Sequence, residues 1–237
     1  MDLGLEGRRA AVAAGSAGLG LATARALVAE GVRVAICGRD RDRLDAAVAE
    51  LGSSAVGVVA DMAAHGGPSD FARSAVEQLG GPVDIVVANA GGPPPGSASR
   101  TSVDAYRAAL ELNCLSTIEL VNAVVPGMRA NHWGRVLAIT SIGARQPIPY
   151  LAASTAARAA TTAFIKTLAA EVASDGVTAN TVQPGSHATA RMEQLAGTSS
   201  RRRCTTSRSG TSGTRGTSGR SPHSSAASRR ASCAAPR

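Results

Sequence analysis

Apolar positions along this chain fall into short continuous runs separated by stretches in which they recur at helical spacing. The clearest example covers residues 11–40, where an apolar run leads into the glycine-bearing turn Gly15–Gly20 and then into a helix-like pattern. A second apolar run, Val32–Cys37, ends at Gly38-Arg39. Strand, glycine turn, helix and strand make a βαβ unit, whose crossover should be right-handed.

The alternation continues to residue 182 and predicts six strands. Further apolar runs cover residues 55–60, 83–88, 135–140 and 177–182, and helix-like stretches lie between them. Near-continuous apolar strands that alternate with helices are typical of a parallel sheet covered on both faces. We therefore predict an α/β fold with a single Rossmann-like, doubly wound parallel sheet.

The glycine turn predicts a dinucleotide site. Glycines let the backbone approach a pyrophosphate, and the following helix offers free N–H groups and the positive end of its dipole. After the second strand, an acidic residue is typical of NAD sites, whereas an arginine accommodates the 2′-phosphate of NADP. Arg39 stands at that position, so we predict NADP(H) as the cofactor. The alternative is that Arg39 is a solvated turn residue and that Asp40 caps the next helix.

Length and composition are consistent with one domain. The 237 residues, 44% of them apolar, suffice for a real core. No apolar run approaches the ~20 residues of a membrane span, and the N-terminus lacks the order of a signal peptide. The four cysteines match no metal-ligand spacing, and we expect Cys37 and Cys114 to be reduced core residues. These features predict a cytoplasmic protein with no membrane association and no metal site.

The net charge of +8 is concentrated in a C-terminal segment. Residues 198–237 hold nine arginines, no acidic residue and no Val, Ile, Leu, Met, Phe, Tyr or Trp, so they cannot build a core. Residues 1–197, with 16 basic and 17 acidic residues, are near neutral. A disordered arginine-rich arm could bind nucleic acid, but this one lacks lysine and any aromatic residue for base stacking. We favour a change of reading frame at about residue 197 over nucleic-acid binding.

Motifs that follow the predicted strands carry a family resemblance. In chain order they are Asp61, Ala88-Asn89-Ala90-Gly91, Asn113, Ser141 and Pro184-Gly185 with Thr189. Together with the glycine turn they resemble the short-chain dehydrogenase/reductase family, above all its 3-oxoacyl-carrier-protein-reductase-like members, over residues 5 to about 196. The resemblance implies hydride transfer between NADP(H) and a carbonyl or alcohol, in a homo-oligomer paired through the helices that carry Asn113 and Arg158. The family's helical substrate lid and seventh strand have no counterpart in the tail sequence.

The resemblance and the strand ends together imply a set of cofactor contacts. Its members are Ala14, Gly15, Ser16, Gly18, Leu19, Gly20, Arg39, Asp61, Met62, Asn89, Ala90, Gly91, Arg158, Pro184, Gly185 and Thr189. The family's turn reads Thr-Gly-x-x-x-Gly-x-Gly, which places Ala14 on the first glycine and displaces Gly15 by one position. An alanine is tolerated there if its φ is negative, so we expect weakened rather than abolished cofactor binding.

The candidate catalytic residues depart from the family pattern of a serine, twelve residues, a tyrosine, three residues and a lysine. Counting from Ser141 places Ser154 at the tyrosine and Arg158 at the lysine. A serine hydroxyl is a weaker acid than a phenol, and an arginine gives up no proton at ordinary pH. The usual proton relay is therefore missing, although Asn113, Ser141, Ser154 and Arg158 would still line the site.

Tyr150 offers a substitute proton donor. If the helix begins at Pro149, Tyr150 and Ser154 share one helix face at i, i+4, and the phenol reaches towards the site. The alternative is that Tyr150 packs at the start of the helix.

Three functional hypotheses follow. The first is an NADP(H)-dependent oxidoreductase acting on a carbonyl or alcohol. The second is an inert nucleotide-binding relic, or a truncated and frameshifted product without function. The third is a nucleic-acid binder with a basic tail. We favour the first because the cofactor half of the site is best specified.

Overall fold

The computed structural model describes residues 2–185. The chain divides into two units, Met1–Thr198 and Ser199–Arg237, and every described residue belongs to the first. The predicted tail at 198–237, the place of the family's lid and seventh strand, and the candidate residue Thr189 all lie outside the described residues.

Six parallel strands form one sheet in the order β3-β2-β1-β4-β5-β6. They are β1 (Arg9–Val12), β2 (Arg33–Gly38), β3 (Ala55–Val59), β4 (Ile85–Ala88), β5 (Gly134–Ile139) and β6 (Val177–Val182). The strand order reverses between β1 and β4, which defines the topological switch point where such sheets bind ligands. The predicted Rossmann-like α/β sheet is confirmed.

Helices cover both faces of the sheet. They are α1 (Gly18–Ala29), α2 (Arg41–Leu51), α3 (Gly67–Leu79), α4 (Val103–Leu110), α5 (Ser116–Ala130) and α6 (Ala152–Val172). One buried cluster joins the strands to α3, α5 and α6 through residues such as Phe71, Leu120 and Ile165. A second cluster joins the opposite face to α1 and α2 through Ala24 and Leu44. Strand side chains alternate between the two clusters, as a sheet buried on both faces requires.

The helical segment that follows Ser102 is continuous but irregular. Helices α4 and α5 are joined by one π-helical turn, Glu111–Leu115, which contains Asn113. By length and composition, the whole segment Val103–Ala130 could cross a membrane. The search for continuous apolar runs in the sequence did not predict this. Half of the segment's most apolar window is buried inside the protein, as in a core helix, so the segment is weak evidence for a membrane span.

Candidate active site

The glycine turn lies against the switch point, and two of its glycines, Gly15 and Gly20, leave no room for a side chain. The N–H of Gly15 donates to the carbonyl of Cys37 at 2.9 Å, which ties the turn to β2. A Cβ on Gly15 would lie 2.8 Å from Ile36, and one on Gly20 would collide with the carbonyl oxygen of Ala14. Close backbone packing therefore explains both glycines.

Ala14 adopts a left-handed backbone conformation with a φ of +46°. The condition under which an alanine is tolerated here, a negative φ, is therefore not met, because the turn at the end of β1 has the geometry that a glycine supplies. Asn89, which follows β4, donates from Nδ2 to the carbonyl of Ala14 at 3.4 Å. This contact bridges the two strands at the switch point.

Arg39 and Asp61 face each other where β2 and β3 end. Their side chains form an ion pair at 3.8 Å, and they remain 75% and 43% exposed. Met62, the residue after Asp61, is buried, with its sulfur 3.6 Å from Sγ of Cys37. Cys37 and Cys114 are buried free thiols, as predicted. The exposed arginine thus lies at the carboxyl edge of the sheet, and its partner Asp61 is followed by the buried Met62.

Among residues 2–185, space is left open at three glycines along this edge. A Cβ on Gly18, Gly91 or Gly185 would meet nothing within 4 Å, and Gly18 has a φ of +56° at the start of α1. The free N–H groups of that helix, the glycine turn and Arg39 form a set of donors suited to phosphates. The residues present therefore fit a dinucleotide.

Ser141 follows β5 and caps a short 3₁₀ turn, Ile142–Ala144. Its Oγ accepts a hydrogen bond from the N–H of Gly143 at 3.1 Å. The turn is also tied to the end of β6, because the N–H of Ile142 donates to the carbonyl of Pro184 at 3.1 Å. Ser141 is therefore held at the carboxyl edge with its hydroxyl proton available to a ligand.

Arg158 lies in α6 and donates hydrogen bonds to backbone carbonyls just at or after the ends of β4 and β5. Its Nη1 donates to the carbonyls of Ile139 (2.9 Å) and Thr140 (3.0 Å), and its Nη2 donates to the carbonyl of Ala90 (3.3 Å). Its Nε lies 3.3 Å from Oγ of Ser154. The structure thus brings Ser154 and Arg158 together, one helical turn apart, beside the ends of β4 and β5.

Asn113 is buried in the π-helical turn. Its backbone carbonyl accepts from Thr117 (3.0 Å) and Thr161 (2.9 Å), and its Nδ2 donates to Ala109 at 3.4 Å. Within residues 2–185, the buried Oδ1 of Asn113 has no hydrogen-bond partner. A π-helical turn and an unpaired buried oxygen are both features that cluster at functional sites.

Tyr150 lies outside the helix. Helix α6 begins at Ala152, and Tyr150 precedes it with a φ of +63° and 60% of its surface exposed. Its carbonyl accepts from the N–H of Gly96 at 2.7 Å, and Gly96 pairs with Leu151 in an isolated bridge. The condition that placed Tyr150 and Ser154 on one helix face, a helix beginning at Pro149, is therefore not met.

Two residues with hydroxyl groups lie near the site and were not predicted from the sequence. Thr161 is buried and joins α6 to the carbonyl of Asn113. Thr155 borders the same small space as Ser141, beside Gly143. The sequence offered one signal for Thr155, its adjacency to Ser154 at the place of the family's tyrosine.

The chain matches the family model for short chain dehydrogenase over residues 8–199. It is 35% identical to glycine betaine reductase ATRR of Emericella nidulans over 78% of this chain and 15% of that protein. It is 34% identical to granaticin polyketide synthase putative ketoacyl reductase 1 of Streptomyces violaceoruber, over 74% of this chain and 66% of the relative. L-sorbose reductase from Gluconobacter frateurii, solved with NADPH and L-sorbose, superposes with a TM-score of 0.79 at 30% identity, covering 88% of this chain and 79% of that one.

These matches define the class of the protein. The chain belongs to the short-chain dehydrogenase/reductase family, whose members are oxidoreductases that bind a nicotinamide cofactor and act on small molecules. It spans two thirds or less of the length of the first curated relatives that it matches.

Proposed function

We propose that this protein is an NADP(H)-dependent short-chain oxidoreductase that transfers hydride between the nicotinamide and a carbonyl or alcohol. The observation that carries the proposal is Arg39, mostly exposed at the end of β2 beside the glycine turn. A guanidinium there suits a 2′-phosphate, which carries charge that a ribose hydroxyl lacks. The solved L-sorbose reductase, which holds NADPH, supports the same cofactor.

Cofactor titrations test this proposal. We expect the protein to bind NADPH more tightly than NADH, and Arg39→Ala to raise the Kd for NADPH by about 10-fold or more, because a charge-assisted hydrogen bond is lost. The Kd for NADH should change little. Arg43→Ala is the matched control, since Arg43 pairs with Asp40 in the same region. Equal affinities for both cofactors in the unaltered protein would contradict the proposal.

The residues of the site have distinct roles in this chemistry. The cofactor, when bound, supplies or takes up the hydride. The glycine turn and Arg39 would hold its phosphates, and Asn89 to Gly91 and Pro184-Gly185 border the open edge beyond. Ser141 donates a hydrogen bond to the substrate, and Arg158 fixes the strand ends and Ser154. A 3-oxoacyl thioester is the substrate class that we test first, since a putative ketoacyl reductase is among the relatives.

The contacts of Arg158 favour a second candidate, a nucleotide-binding protein without turnover. Its guanidinium already donates to three backbone carbonyls and contacts Ser154, and no phenol lies at the position of Ser154. Binding of NADPH with no oxidation of it by any ketone or aldehyde would favour this candidate over the first.

We propose that the protein is a homo-oligomer paired through α5 and α6. A groove of about 490 Å³ lies between these helices, lined by Val125, Phe164 and Leu168. The free thiols of Cys37 and Cys114 suit a reducing compartment such as the cytoplasm. Light scattering of the purified protein should give a dimer or tetramer, and Phe164→Glu should shift it towards the monomer.

We propose further that residues 198–237 are read from a changed frame. Reading the gene across codons 190–205 in all three frames tests this. A second frame that continues into an apolar strand supports it, and an intact mass of the native protein that matches all 237 residues contradicts it.

A further inference from the structure

A small space beside Gly143 is bordered by two hydroxyl groups. A Cβ built on Gly143 would lie 3.3 Å from Oγ of Ser141, 3.4 Å from Oγ1 of Thr155 and 3.5 Å from Cδ1 of Ile148. The absence of a side chain at residue 143 keeps this space open. Both hydroxyl residues are partly exposed, so a ligand at the carboxyl edge can reach them.

The hydroxyl of Thr155 makes no hydrogen bond to the backbone of its own helix. A helical threonine commonly donates to the carbonyl four residues earlier. Such bonds are made by Thr23, Thr117, Thr161, Thr162 and Thr167. In the part of the chain that the structure describes, Thr155 is the exception among helical threonines, because only its N–H bonds to Leu151 and its side chain has no hydrogen bond.

Ser141 also has a donor to offer. Its Oγ accepts from the N–H of Gly143 at 3.1 Å, which fixes the oxygen and leaves the hydroxyl proton directed elsewhere. Ser154, by contrast, is oriented by Nε of Arg158. Thr155 is therefore a residue of α6 whose hydroxyl borders the same space as that of Ser141 and, among the described residues, is not oriented by another side chain.

We propose that Thr155 is a substrate-binding catalytic residue, whose hydroxyl joins that of Ser141 in donating hydrogen bonds to the substrate's carbonyl oxygen. This inference rests on the proposed function. As the carbonyl carbon gains hydride, its oxygen gains negative charge, which the two donors stabilise. Neither hydroxyl gives up its proton permanently. The oxygen takes its final proton from a solvent water, and the resulting hydroxide is neutralised by the buffer.

Isosteric variants test the role of Thr155. Thr155→Val removes the hydroxyl, and we expect kcat/KM with NADPH and the acetoacetyl thioester of N-acetylcysteamine to fall by about 100-fold, the loss typical of one oxyanion donor. Thr155→Ser restores the hydroxyl and should recover most of the activity. Thr178→Val makes the same change at an exposed position of β6 and should have no effect.

Two binding measurements separate a substrate contact from a structural effect. The Kd for NADPH should be the same in all variants, whereas the calorimetric Kd for the thioester in the presence of NADP⁺ should rise in Thr155→Val. Gly143→Ala places a methyl group in the same space and should raise the KM for the thioester without changing the Kd for NADPH.

The outcomes are distinguishable. Turnover in Thr155→Val equal to that in Thr178→Val would overturn the inference about Thr155 but not the proposed function. Loss of NADPH binding together with turnover in Thr155→Val would also overturn it, because Thr155 would then be structural. An unaltered protein that binds NADPH but reduces neither this thioester nor a panel of ketones and aldehydes would remove the proposed function and the inference with it.

Discussion

Two strained residues border the candidate site at the scale of single residues. Ala14 and Tyr150 carry φ values of +46° and +63°, a region that costs most L residues about 1–2 kcal/mol. Each is held by contacts of its carbonyl oxygen, Ala14 with Asn89 and Tyr150 with Gly96. Strain of this kind persists where the surroundings over-determine the backbone, and it clusters at functional sites.

Replacing Ala14 with glycine should stabilise the protein. Glycine adopts a positive φ without the steric cost, although it loses more entropy on folding, so we expect a net gain of about 1 kcal/mol. Thermal unfolding should then shift upwards by about 2–4 °C. Ala13→Gly is the control, because Ala13 is fully buried with no positive φ, and it should lower the midpoint. A lower midpoint for Ala14→Gly would show that the methyl group packs favourably.

Cys37 should make stability fall at alkaline pH. Burial raises the pKa of Cys37 to about 12 from an ordinary value of 9.0, so the folded protein keeps the proton that the unfolded chain releases above pH 9. The stabilising contribution is therefore complete below pH 9 and is lost as the pH rises towards 12. Urea unfolding at pH 8, 9 and 10 should show a steeper loss for the unaltered protein than for Cys37→Ala. The difference should approach about 1.4 kcal/mol per pH unit. Parallel pH profiles would contradict this assignment.

Helix α3 shows at the scale of elements how one helix caps another. Its N-cap is Gly66, which has no side chain to satisfy the first N–H groups. Glu119 of α5 supplies the acceptor instead, taking hydrogen bonds from the N–H (3.3 Å) and the Oγ (2.6 Å) of Ser69. This carboxylate also lies at the positive end of the dipole of α3.

Removing the Glu119 carboxylate should therefore destabilise the whole domain. Glu119→Ala leaves the N–H of Ser69 without its acceptor, and we expect a loss of about 1–2 kcal/mol in the free energy of unfolding. Glu119→Gln keeps an oxygen acceptor and should lose less. Glu77→Ala, at an exposed position of α3, should stay within about 0.5 kcal/mol. If Glu119→Ala and Glu77→Ala unfold at the same urea concentration, the interhelical cap contributes nothing.

The sequence predicts elements well and the backbone conformation of single residues at the site poorly. All six strands could be predicted, because apolar runs reflect burial on both faces of the sheet. The left-handed φ of Ala14 could not, since it follows from close packing of the turn against α1 and Asn89. Nor could the positive φ of Tyr150, whose neighbour Leu151 forms a bridge with the distant Gly96. Such details are set by tertiary contacts between distant segments, which periodicity does not record.

At the scale of the whole molecule, the large apolar side chains of the sequence all lie within residues 1–197. Both large core clusters consist of described residues, from Ala10 in β1 to Ala179 in β6. Residues 198–237 contain none of the large apolar side chains that such clusters require. The nine arginines of that segment account for the net positive charge of the chain.

A chain ending at residue 197 should therefore keep the fold and the cofactor site. We expect its urea midpoint and its Kd for NADPH to match those of the full chain, since the deleted segment contains none of the large apolar side chains whose burial stabilises a core. Retention on a cation exchanger should fall sharply, because residues 1–197 are near neutral. A duplex DNA retardation assay on both proteins tests separately whether the basic tail binds nucleic acid. If the shortened chain unfolds at a lower urea concentration, residues beyond 197 contribute to the folded domain, and the proposal of a changed reading frame there loses its physical basis.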